Sequence, residues 1–257
     1  MEANRQGVAL VTGGARRIGR TIALALAGDG WDIAVHYGRS AAEAAETVRA
    51  IEALGRHAAA FDCDLADADA VQALAGRCAA QLGPLACVVN NASMFEFDSA
   101  ESFDPEMLAR AMAVNVAAPV LLARALAAQI APGGQGVVIN LLDQKLFNPN
   151  PDFLSYTLSK SALAEATRLL ARALAPRLRV VGIAPGITLR SGDQSDAGFA
   201  AAHAKTPLGC SSTPEDVAEA VVYAVRARAV TGTTLLVDGG QHLLPSDRDV
   251  MFLTEKS

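Results

Sequence analysis

The sequence lacks the features that mark nucleic-acid-binding and membrane-embedded proteins. Its 22 Lys and Arg are outnumbered by 27 Asp and Glu, and no run of basic residues occurs. This balance excludes a basic surface for nucleic acid or for an anionic membrane. We see no signal peptide and no stretch that approaches the ~20 apolar residues of a membrane span. The sequence therefore predicts a soluble, cytoplasmic protein with no nucleic-acid and no membrane partner.

Cysteine is also scarce. The four cysteines form no Cys-x-x-Cys pair and no Cys/His zinc spacing; they are Cys63, Cys78, Cys87 and Cys210. We expect reduced, mostly buried thiols, and we expect no metal site.

What the sequence does contain is a regular succession of apolar strands and helices. Apolar residues make up 51% of the 257 positions, enough for one large domain. Most of the strand-like runs are apolar throughout, without alternation. The pattern predicts a Rossmann fold, a doubly wound seven-stranded parallel sheet with helices on both faces, in a single domain over residues 1–257. Pro119 predicts an irregularity inside the long helical segment 104–130.

The first strand-to-helix turn carries the glycines that a dinucleotide site requires. Residues 12–19 read Thr-Gly-Gly-Ala-Arg-Arg-Ile-Gly, between an apolar strand and an apolar helix. Glycine lets the backbone approach a pyrophosphate, and the helix N-terminus favours its negative charge. We therefore predict a dinucleotide site here; a tight turn without a nucleotide is the alternative.

The end of the second strand indicates which dinucleotide binds. It reads His36-Tyr-Gly-Arg-Ser40, with no carboxylate for a ribose diol, while Arg16 and Arg17 lie in the glycine turn. A planar guanidinium binds a phosphate through two hydrogen bonds. Arg16, Arg17 and Arg39 thus predict NADP(H). For His36, a structural role at the strand end is equally open.

Tyr156 and Lys160 stand four residues apart in a helix predicted from Phe153 onward, which places them on one face. A nearby ammonium stabilises a phenolate, so we expect Lys160 to lower the pKa of Tyr156 from ~10 toward neutrality. Asp143 follows an apolar strand and can reach the same place from the strand end. By itself, Tyr-x-x-x-Lys also fits an ordinary exposed helix face.

Seven motifs in family order make the chain resemble the short-chain dehydrogenase/reductases over nearly its whole length. They are Thr12-Gly13, Asp64-Leu65, Asn90-Asn91-Ala92, Asn115-Val116, Tyr156-x-x-x-Lys160, Pro185-Gly186 and Asp238-Gly239-Gly240. The resemblance implies Tyr156 as general acid/base, Lys160 on the nicotinamide ribose and Asn115 in the proton relay. Together with the arginines it suggests these cofactor contacts: Gly13, Arg16, Arg17, Ile18, His36, Tyr37, Arg39, Ser40, Asp64, Leu65, Asn91, Ala92, Lys160, Pro185 and Gly186. It also implies a homodimer or homotetramer.

Two departures from the common family pattern resemble the pteridine reductases within it. Arg17 replaces the middle glycine of the turn, and Asp143 replaces the serine that usually precedes the tyrosine. In that group the serine and phenylalanine of Asn91-Ala-Ser-Met-Phe95 contact the ligand, the ring by stacking on the pterin. The resemblance implies a substrate site of Arg17, Ser93, Phe95, Asp143 and Tyr156. A core position is the alternative for Phe95, and a loop cap is the alternative for Asp143.

The carboxyl group of Asp143 distinguishes two reactions. A carboxylate only accepts hydrogen bonds and repels a carbonyl oxygen that becomes negative, so it suits a substrate with N–H groups or with a C=N bond protonated on nitrogen. It also raises the pKa of Tyr156, against Lys160. We therefore expect an NADPH-dependent reductase of dihydropterins such as dihydromonapterin. Two alternatives stay open: a carbonyl reductase of a 3-oxoacyl thioester, sugar or small ketone, with Asp143 protonated, and a non-catalytic NADP(H)-binding regulator.

Two segments carry no motif that we can interpret. Residues 187–212 occupy the position of a substrate loop, inside a stretch rich in Gly, Ser and Asp that predicts a mobile loop or lid over 184–212. The C-terminal tail, residues 241–257, has an apolar end that indicates docking against a neighbouring subunit's site; a frayed terminus is the alternative.

Overall fold

Strands and helices alternate along the part of the chain that the computed structural model describes, residues 6–190, 195–250 and 252. The strands are β1 (Gly7–Val11), β2 (Trp31–Tyr37), β3 (Ala58–Asp62), β4 (Leu85–Asn90), β5 (Gly136–Leu141), β6 (Leu178–Pro185) and β7 (Thr234–Val237). The α-helices are α1 (Arg17–Gly28), α2 (Ala41–Ala53), α3 (Ala68–Leu82), α4 (Pro105–Met112), α5 (Ala118–Gln129), α6 (Leu154–Ala173), α7 (Asp196–Ala204) and α8 (Pro214–Arg226).

All of these strands pair in parallel in one sheet, in the order β3-β2-β1-β4-β5-β6-β7. Helices α1, α2 and α8 cover one face, around Ile22 and Val221, and helices α3, α5 and α6 cover the other, around Leu74 and Leu122. Because both faces are covered, both sides of each central strand must be apolar, which explains the runs without alternation. The predicted doubly wound sheet is confirmed.

The strand order reverses between β1 and β4. The chain leaves β1 toward one side of the sheet and leaves β4 toward the other, so a crevice opens at the carboxyl ends of these two strands. Val11 and Asn90 are the last residues of the two strands at this crevice. The loops that follow them are therefore where a ligand of such a sheet binds.

An irregular turn divides the long helical segment. Helix α4 ends at Met112, a π-helical turn spans Ala113–Ala117, and α5 begins at Ala118 with Pro119 in its first turn. Proline is tolerated in the first turn of a helix, because the backbone N–H groups of that turn have no acceptor within the helix and proline therefore loses no hydrogen bond there. The predicted irregularity is confirmed, and π turns often lie at functional sites.

The same segment, Pro105–Gln129, is long and apolar enough to cross a membrane by length and composition alone. The prediction that no stretch approaches such a span was wrong on that measure. In the fold Leu122 and Leu126 of this segment are fully buried against the sheet, and Leu108, Val114 and Leu121 are half-buried. A core helix passes the same test, so the finding assigns no membrane segment.

The segment 184–212 contains a helix where the sequence predicted a loop. Helix α7 begins at a cap, Ser195, whose hydroxyl accepts a hydrogen bond from the N–H of Gly198. Five of its nine residues are alanine, the best helix former, and this local propensity outweighs the Gly and Ser around it. Residues 191–194 of the predicted substrate loop lie outside the described residues.

The sequence predicts a helix N-cap at Thr213, in Thr213-Pro-Glu-Asp216, and another at Ser40, and the two predictions have different outcomes. Thr213 and Asp216 exchange hydrogen bonds in a capping box at α8, with Pro214 in the first turn, as predicted. Ser40 precedes α2, but its side chain makes no capping hydrogen bond, so that cap was wrong.

Candidate active site

The glycine turn between β1 and α1 lies at the reversal of strand order. Gly13 has a φ of +62°, a left-handed conformation that glycine adopts without strain. A Cβ atom on Gly19 would lie 2.1 Å from the carbonyl oxygen of Gly13, so only glycine lets α1 pack this close to the turn. The turn thus presents backbone to the crevice, as a phosphate cradle requires.

Hydrogen bonds join this turn to the end of β4. The Thr12 hydroxyl accepts from the backbone N–H groups of Asn91 and Ala92, each at 3.0 Å. The side-chain amide of Asn91 donates to the carbonyl oxygens of Thr12 at 2.9 Å and Gly13 at 3.3 Å. Three predicted cofactor residues, Gly13, Asn91 and Ala92, therefore lie together in a geometry that the protein itself fixes.

His36 is buried beneath the turn. Its Nδ1 accepts from the N–H of Gly13 at 3.0 Å, so Nε2 carries the hydrogen and donates to the Cys63 carbonyl oxygen at 3.0 Å. Burial lowers the pKa of His36, although the bond to Cys63 opposes that shift. Both ring nitrogens are thus bonded to backbone groups, which agrees with the structural role that the sequence left open.

The three arginines predicted for a 2'-phosphate are exposed around the turn and the end of β2. Arg17 has a φ of +53°, the conformation expected of the glycine that it replaces, which costs a non-glycine residue strain. Its Nη2 donates to the carbonyl oxygen of Arg190 at 2.9 Å, next to the 191–194 segment.

The remaining predicted cofactor residues lie near the carboxyl ends of the strands and differ in their exposure to solvent. Asp64 is exposed, and its carboxylate accepts from the N–H of Ala66 at 2.9 Å. Those that are buried or half-buried are Ile18, Tyr37, Ser40, Leu65, Pro185 and Gly186. A Cβ atom on Gly186 would lie 2.7 Å from the side chains of Gln241 and Ser211 and 2.8 Å from Asp238 Cβ, so a larger residue here would displace its neighbours.

Tyr156 and Asp143 form a direct hydrogen bond. The Tyr156 hydroxyl donates to Asp143 Oδ2 at 2.7 Å, and Asp143 Oδ1 accepts from the N–H of Lys145 at 2.8 Å. Asp143 therefore faces the tyrosine and also caps the 3₁₀ turn Gln144–Leu146, so the two roles considered for it coexist. Burial raises the pKa of Asp143, against the hydrogen bonds from Lys145 and Tyr156 and the charge of Lys160.

The pKa of Tyr156 shifts in the direction opposite to the prediction. Burial raises it well above its ordinary value, and the charge and hydrogen bond of Asp143 raise it further. Lys160 donates to the Leu141 carbonyl oxygen at 2.7 Å, and its Nζ lies 5.7 Å from the centroid of the Tyr156 ring. Burial lowers the pKa of Lys160 itself to about 8. Tyr156 is therefore a protonated donor here.

The π turn places Asn115 where it joins two parts of the site. Its amide donates to the Ser159 hydroxyl at 2.9 Å and to the Met94 carbonyl oxygen at 3.0 Å. Its oxygen accepts from the Met94 N–H at 2.9 Å and from the Ser93 hydroxyl at 3.2 Å. Ser159 in turn donates to the backbone oxygen of Tyr156. Asn115 and Ser93, predicted from separate motifs, thus contact each other.

Phe95 is a surface residue beside the tyrosine, and not a core residue. It is 42% exposed. One face stacks on Phe153 with centroids 4.3 Å apart, and it meets Tyr156 in a T-shaped contact at 4.7 Å. Phe95 also lines a cavity of about 250 Å³ together with Asp143 and Tyr156. An aromatic surface is thus available beside the hydroxyl that donates.

The C-terminal tail docks on its own chain, which we did not predict. Arg248 Nε donates to both oxygens of the Asp152 carboxylate, at 3.0 and 2.8 Å, and the N–H of Asp249 donates to the same carboxylate at 2.7 Å. Lys145 Nζ lies 3.4 Å from Asp249 Oδ2. The described tail residues therefore border their own chain's cavity, whereas the prediction placed them at a neighbour's. Residues 251 and 253–257 lie outside the described residues.

The sequence analysis also did not identify Asp98, which caps α6, the helix that bears Tyr156. Phe153 occupies the N-cap position of α6 with a φ of +55° and has no side-chain acceptor. The carboxylate of Asp98, 57 residues away, accepts from the Ser155 N–H at 2.9 and 3.2 Å and from the Ser155 hydroxyl at 2.5 Å. No local motif marks such a cap, because the acceptor comes from a different loop.

The chain is similar to known oxidoreductases over most of its length. The family model described as enoyl-(acyl carrier protein) reductase matches residues 13–242. The fold matches the structure of FolM alternative dihydrofolate reductase 1 from Brucella canis, complexed with NADP, at a TM-score of 0.90 and 39% identity, covering 96% of this chain and 97% of that chain. Pteridine reductase 1 of Leishmania tarentolae is 31% identical over 92% of this chain and 96% of its own length. The 3-oxoacyl-(acyl-carrier-protein) reductase FabG of Staphylococcus aureus is 31% identical over 91% and 98%. The chain therefore belongs to the short-chain dehydrogenase/reductase family of oxidoreductases.

Proposed function

We propose that the chain is an NADPH-dependent reductase of dihydropterins. The observation that carries this proposal is the 2.7 Å hydrogen bond from Tyr156 to Asp143. A carboxylate next to the reacting group repels a carbonyl oxygen that gains negative charge, but it accepts hydrogen bonds from the N–H groups of a pterin. Phe95 offers a flat surface for such a ring. The similarities to pteridine reductase 1 and to FolM support the proposal.

The residues of the glycine turn fit NADP(H) as the cofactor. Gly13 and Gly19 leave two positions of the turn without a side chain, and a Cβ atom on Gly19 would lie 2.1 Å from the carbonyl oxygen of Gly13. Arg16, Arg17 and Arg39 provide exposed positive charge, and no carboxylate follows β2 before α2. When bound, NADPH supplies the hydride to a ring carbon of the substrate.

Tyr156 then delivers the proton to the neighbouring ring nitrogen. Addition of hydride to a C=N bond leaves an electron pair on nitrogen, which is a far stronger base than a phenolate. A tyrosine with a raised pKa keeps its proton until that base forms, which suits a general acid. Asp143 orients the hydroxyl, and the ammonium of Lys160 lies close enough to favour the phenolate that remains.

Loss of NADPH absorbance with dihydrobiopterin or dihydromonapterin tests the proposal. Tyr156→Phe removes the proton donor and keeps the ring, so we expect turnover to fall about 10²–10⁴-fold. Tyr223→Phe is the matched control, because Tyr223 is exposed on α8 away from these residues, and it should leave the rate unchanged. An enzyme that binds NADPH but reduces neither pterin would contradict the proposal.

A carbonyl reductase is the second candidate, supported by the similarity to FabG and by the raised pKa of Asp143. A protonated Asp143 carboxyl can donate a hydrogen bond to a carbonyl oxygen, as a serine does. The same NADPH assay with a 3-oxoacyl thioester distinguishes this candidate, because only a carbonyl reductase consumes that substrate efficiently.

A further inference from the structure

Lys145 is a buried lysine whose charge takes no part in the reaction proposed above. It lies in the 3₁₀ turn Gln144–Leu146 that follows β5, and it is 3% exposed. Its Nζ donates to the Asp152 carbonyl oxygen at 2.5 Å and lies 3.4 Å from Oδ2 of Asp249 in the tail. An ammonium that is buried loses its hydration, and oxygens at these distances compensate for that loss. Contacts with two other parts of the chain therefore fix the position of Lys145.

The backbone of Lys145 holds the acceptor of the tyrosine hydrogen bond. Its N–H donates to Asp143 Oδ1 at 2.8 Å, while Oδ2 of the same carboxylate accepts from the Tyr156 hydroxyl at 2.7 Å. The carboxylate is thus bonded to Lys145 through one oxygen and to Tyr156 through the other. Because a hydrogen bond weakens steeply when its angle or length changes, a shift of the 3₁₀ turn would weaken the bond to Tyr156.

The side chain of Lys145 holds the start of the helix that bears the donor. The Asp152 carbonyl that it binds belongs to the peptide group that leads into Phe153, the N-cap residue of α6. Phe153 has a φ of +55°, a conformation that a non-glycine residue keeps only when its surroundings hold it there. Tyr156 follows three residues later, in the first turn of α6. One residue therefore contacts the segments that carry both the donor and the acceptor.

The same ammonium lies over an aromatic pair beside the tyrosine. Lys145 Nζ is 5.3 Å from the centroid of the Phe153 ring, within the distance at which a cation is attracted to an aromatic face. Phe153 stacks on Phe95, and Phe95 meets the Tyr156 ring edge to face. The rings that surround the tyrosine are thus in contact with Lys145 as well.

We propose that Lys145 is a positioning residue that sets the hydrogen bond between Tyr156 and Asp143, and that the tail completes the site by supplying Asp249 as the partner of this lysine. The inference rests on the proposed function in that Tyr156 and Asp143 carry the reaction. The hydrogen bond itself is observable without a substrate. Lys145 also lines the cavity, so the experiment must separate positioning from a direct contact with the substrate.

A ¹³C label at Cζ of tyrosine reports the hydrogen bond by NMR, because the chain has only three tyrosines: Tyr37, Tyr156 and Tyr223. Tyr156→Phe and Tyr223→Phe assign the signals. Lys145→Met removes the ammonium and keeps an unbranched apolar stem. We expect the Tyr156 signal to move toward that of the exposed Tyr223, and Lys145→Arg, which keeps the charge and its donors, to restore it. Arg168→Met, which removes an exposed cation from the same helix, is the control and should move none of the three signals.

Steady-state kinetics with NADPH and dihydrobiopterin show whether turnover needs this hydrogen bond. A misplacement of about 1 Å costs up to ~10²-fold in rate, so we expect kcat of Lys145→Met to fall ~10–10²-fold and kcat of Lys145→Arg to stay within ~threefold of wild type. The dissociation constant for NADPH, from a fluorescence titration, should be unchanged in both variants.

The outcomes separate positioning from the alternatives. A moved Tyr156 signal together with a lower kcat supports the inference. In folded Lys145→Met, an unmoved signal overturns it whatever the rate does, and a raised KM with an unmoved signal indicates a substrate contact instead. A moved signal with an unchanged kcat overturns it as well.

Asp249→Asn provides a second test, which decides the matter if Lys145→Met does not fold. The Asp249 side chain is 21% exposed, so its substitution should leave the protein folded. The Tyr156 signal should move in the same direction as in Lys145→Met, and an unmoved signal overturns the inference. Wild type that reduces no dihydropterin overturns the proposed function, while the Tyr156 signal still decides whether Lys145 sets the hydrogen bond.

Discussion

Replacing Asp98 by alanine should destabilise the protein by more than the loss of an ordinary helix cap. The carboxylate accepts three hydrogen bonds from Ser155, and both residues are 1% exposed. Loss of an N-cap costs ~0.5–2 kcal/mol, and each buried donor left without an acceptor costs ~1–3 kcal/mol. Because Asp98→Ala does both, we expect a loss of about 3 kcal/mol in the free energy of unfolding, or roughly 6–12 °C in Tm.

Urea and thermal denaturation measure this loss, with Asp104→Ala as the control. Asp104 caps α4 through the N–H of Glu106 at 2.9 Å, but it is exposed, so water replaces its hydrogen bond and we expect only ~1 kcal/mol. Adding Ser155→Ala gives a double-mutant cycle, in which the two effects should be strongly non-additive. If Asp98→Ala costs no more than Asp104→Ala, or if the cycle shows no coupling, then Asp98 is not the cap that the geometry indicates.

Further changes test the site itself. Asp143→Ser should abolish dihydropterin turnover and, if the enzyme is a carbonyl reductase, should improve turnover of a 3-oxoacyl thioester; both follow from the NADPH assay. The pH profile of kcat/KM should fall above about pH 8, because Lys160 is charged below its lowered pKa and neutral above it; Lys160→Arg, which stays charged, should lack that alkaline limb. Gly19→Ala should abolish NADPH binding in a fluorescence titration, since its Cβ would lie 2.1 Å from the turn, whereas Gly28→Ala, with nothing within 4 Å of its Cβ, should bind normally.

The parts of the fold that local chemistry determines were predictable from the sequence. The apolar runs gave the parallel sheet because covered strands are apolar on both sides, and Pro119 marked the irregular turn because proline cannot donate inside a helix. The capping box at Thr213 was visible for the same reason, since both partners lie within four residues. Helix α7 was not predicted, because we gave the Gly and Ser around it more weight than the alanines within it.

The features that we missed in the site depend on residues far apart in the chain. Asp98 caps a helix 57 positions away, and Arg248 reaches Asp152 across 96 positions. The predicted direction of the pKa shift of Tyr156 was wrong. The sequence spacing shows that Lys160 is near Tyr156, but it does not show that burial and the carboxylate of Asp143 outweigh the effect of the lysine. The sequence shows which titratable groups are present, whereas the fold determines how far each group is buried away from water.

The imidazole beneath the glycine turn makes the turn sensitive to acid. A proton on Nδ1 of His36 would face the N–H of Gly13 and remove the acceptor that this N–H requires. The folded state therefore binds that proton less readily than the unfolded chain, in keeping with the lowered pKa of His36. As the pH falls below the ordinary histidine value of ~6.5, this linkage removes stability from the turn. Protons and a dinucleotide would thus act as antagonists on one loop.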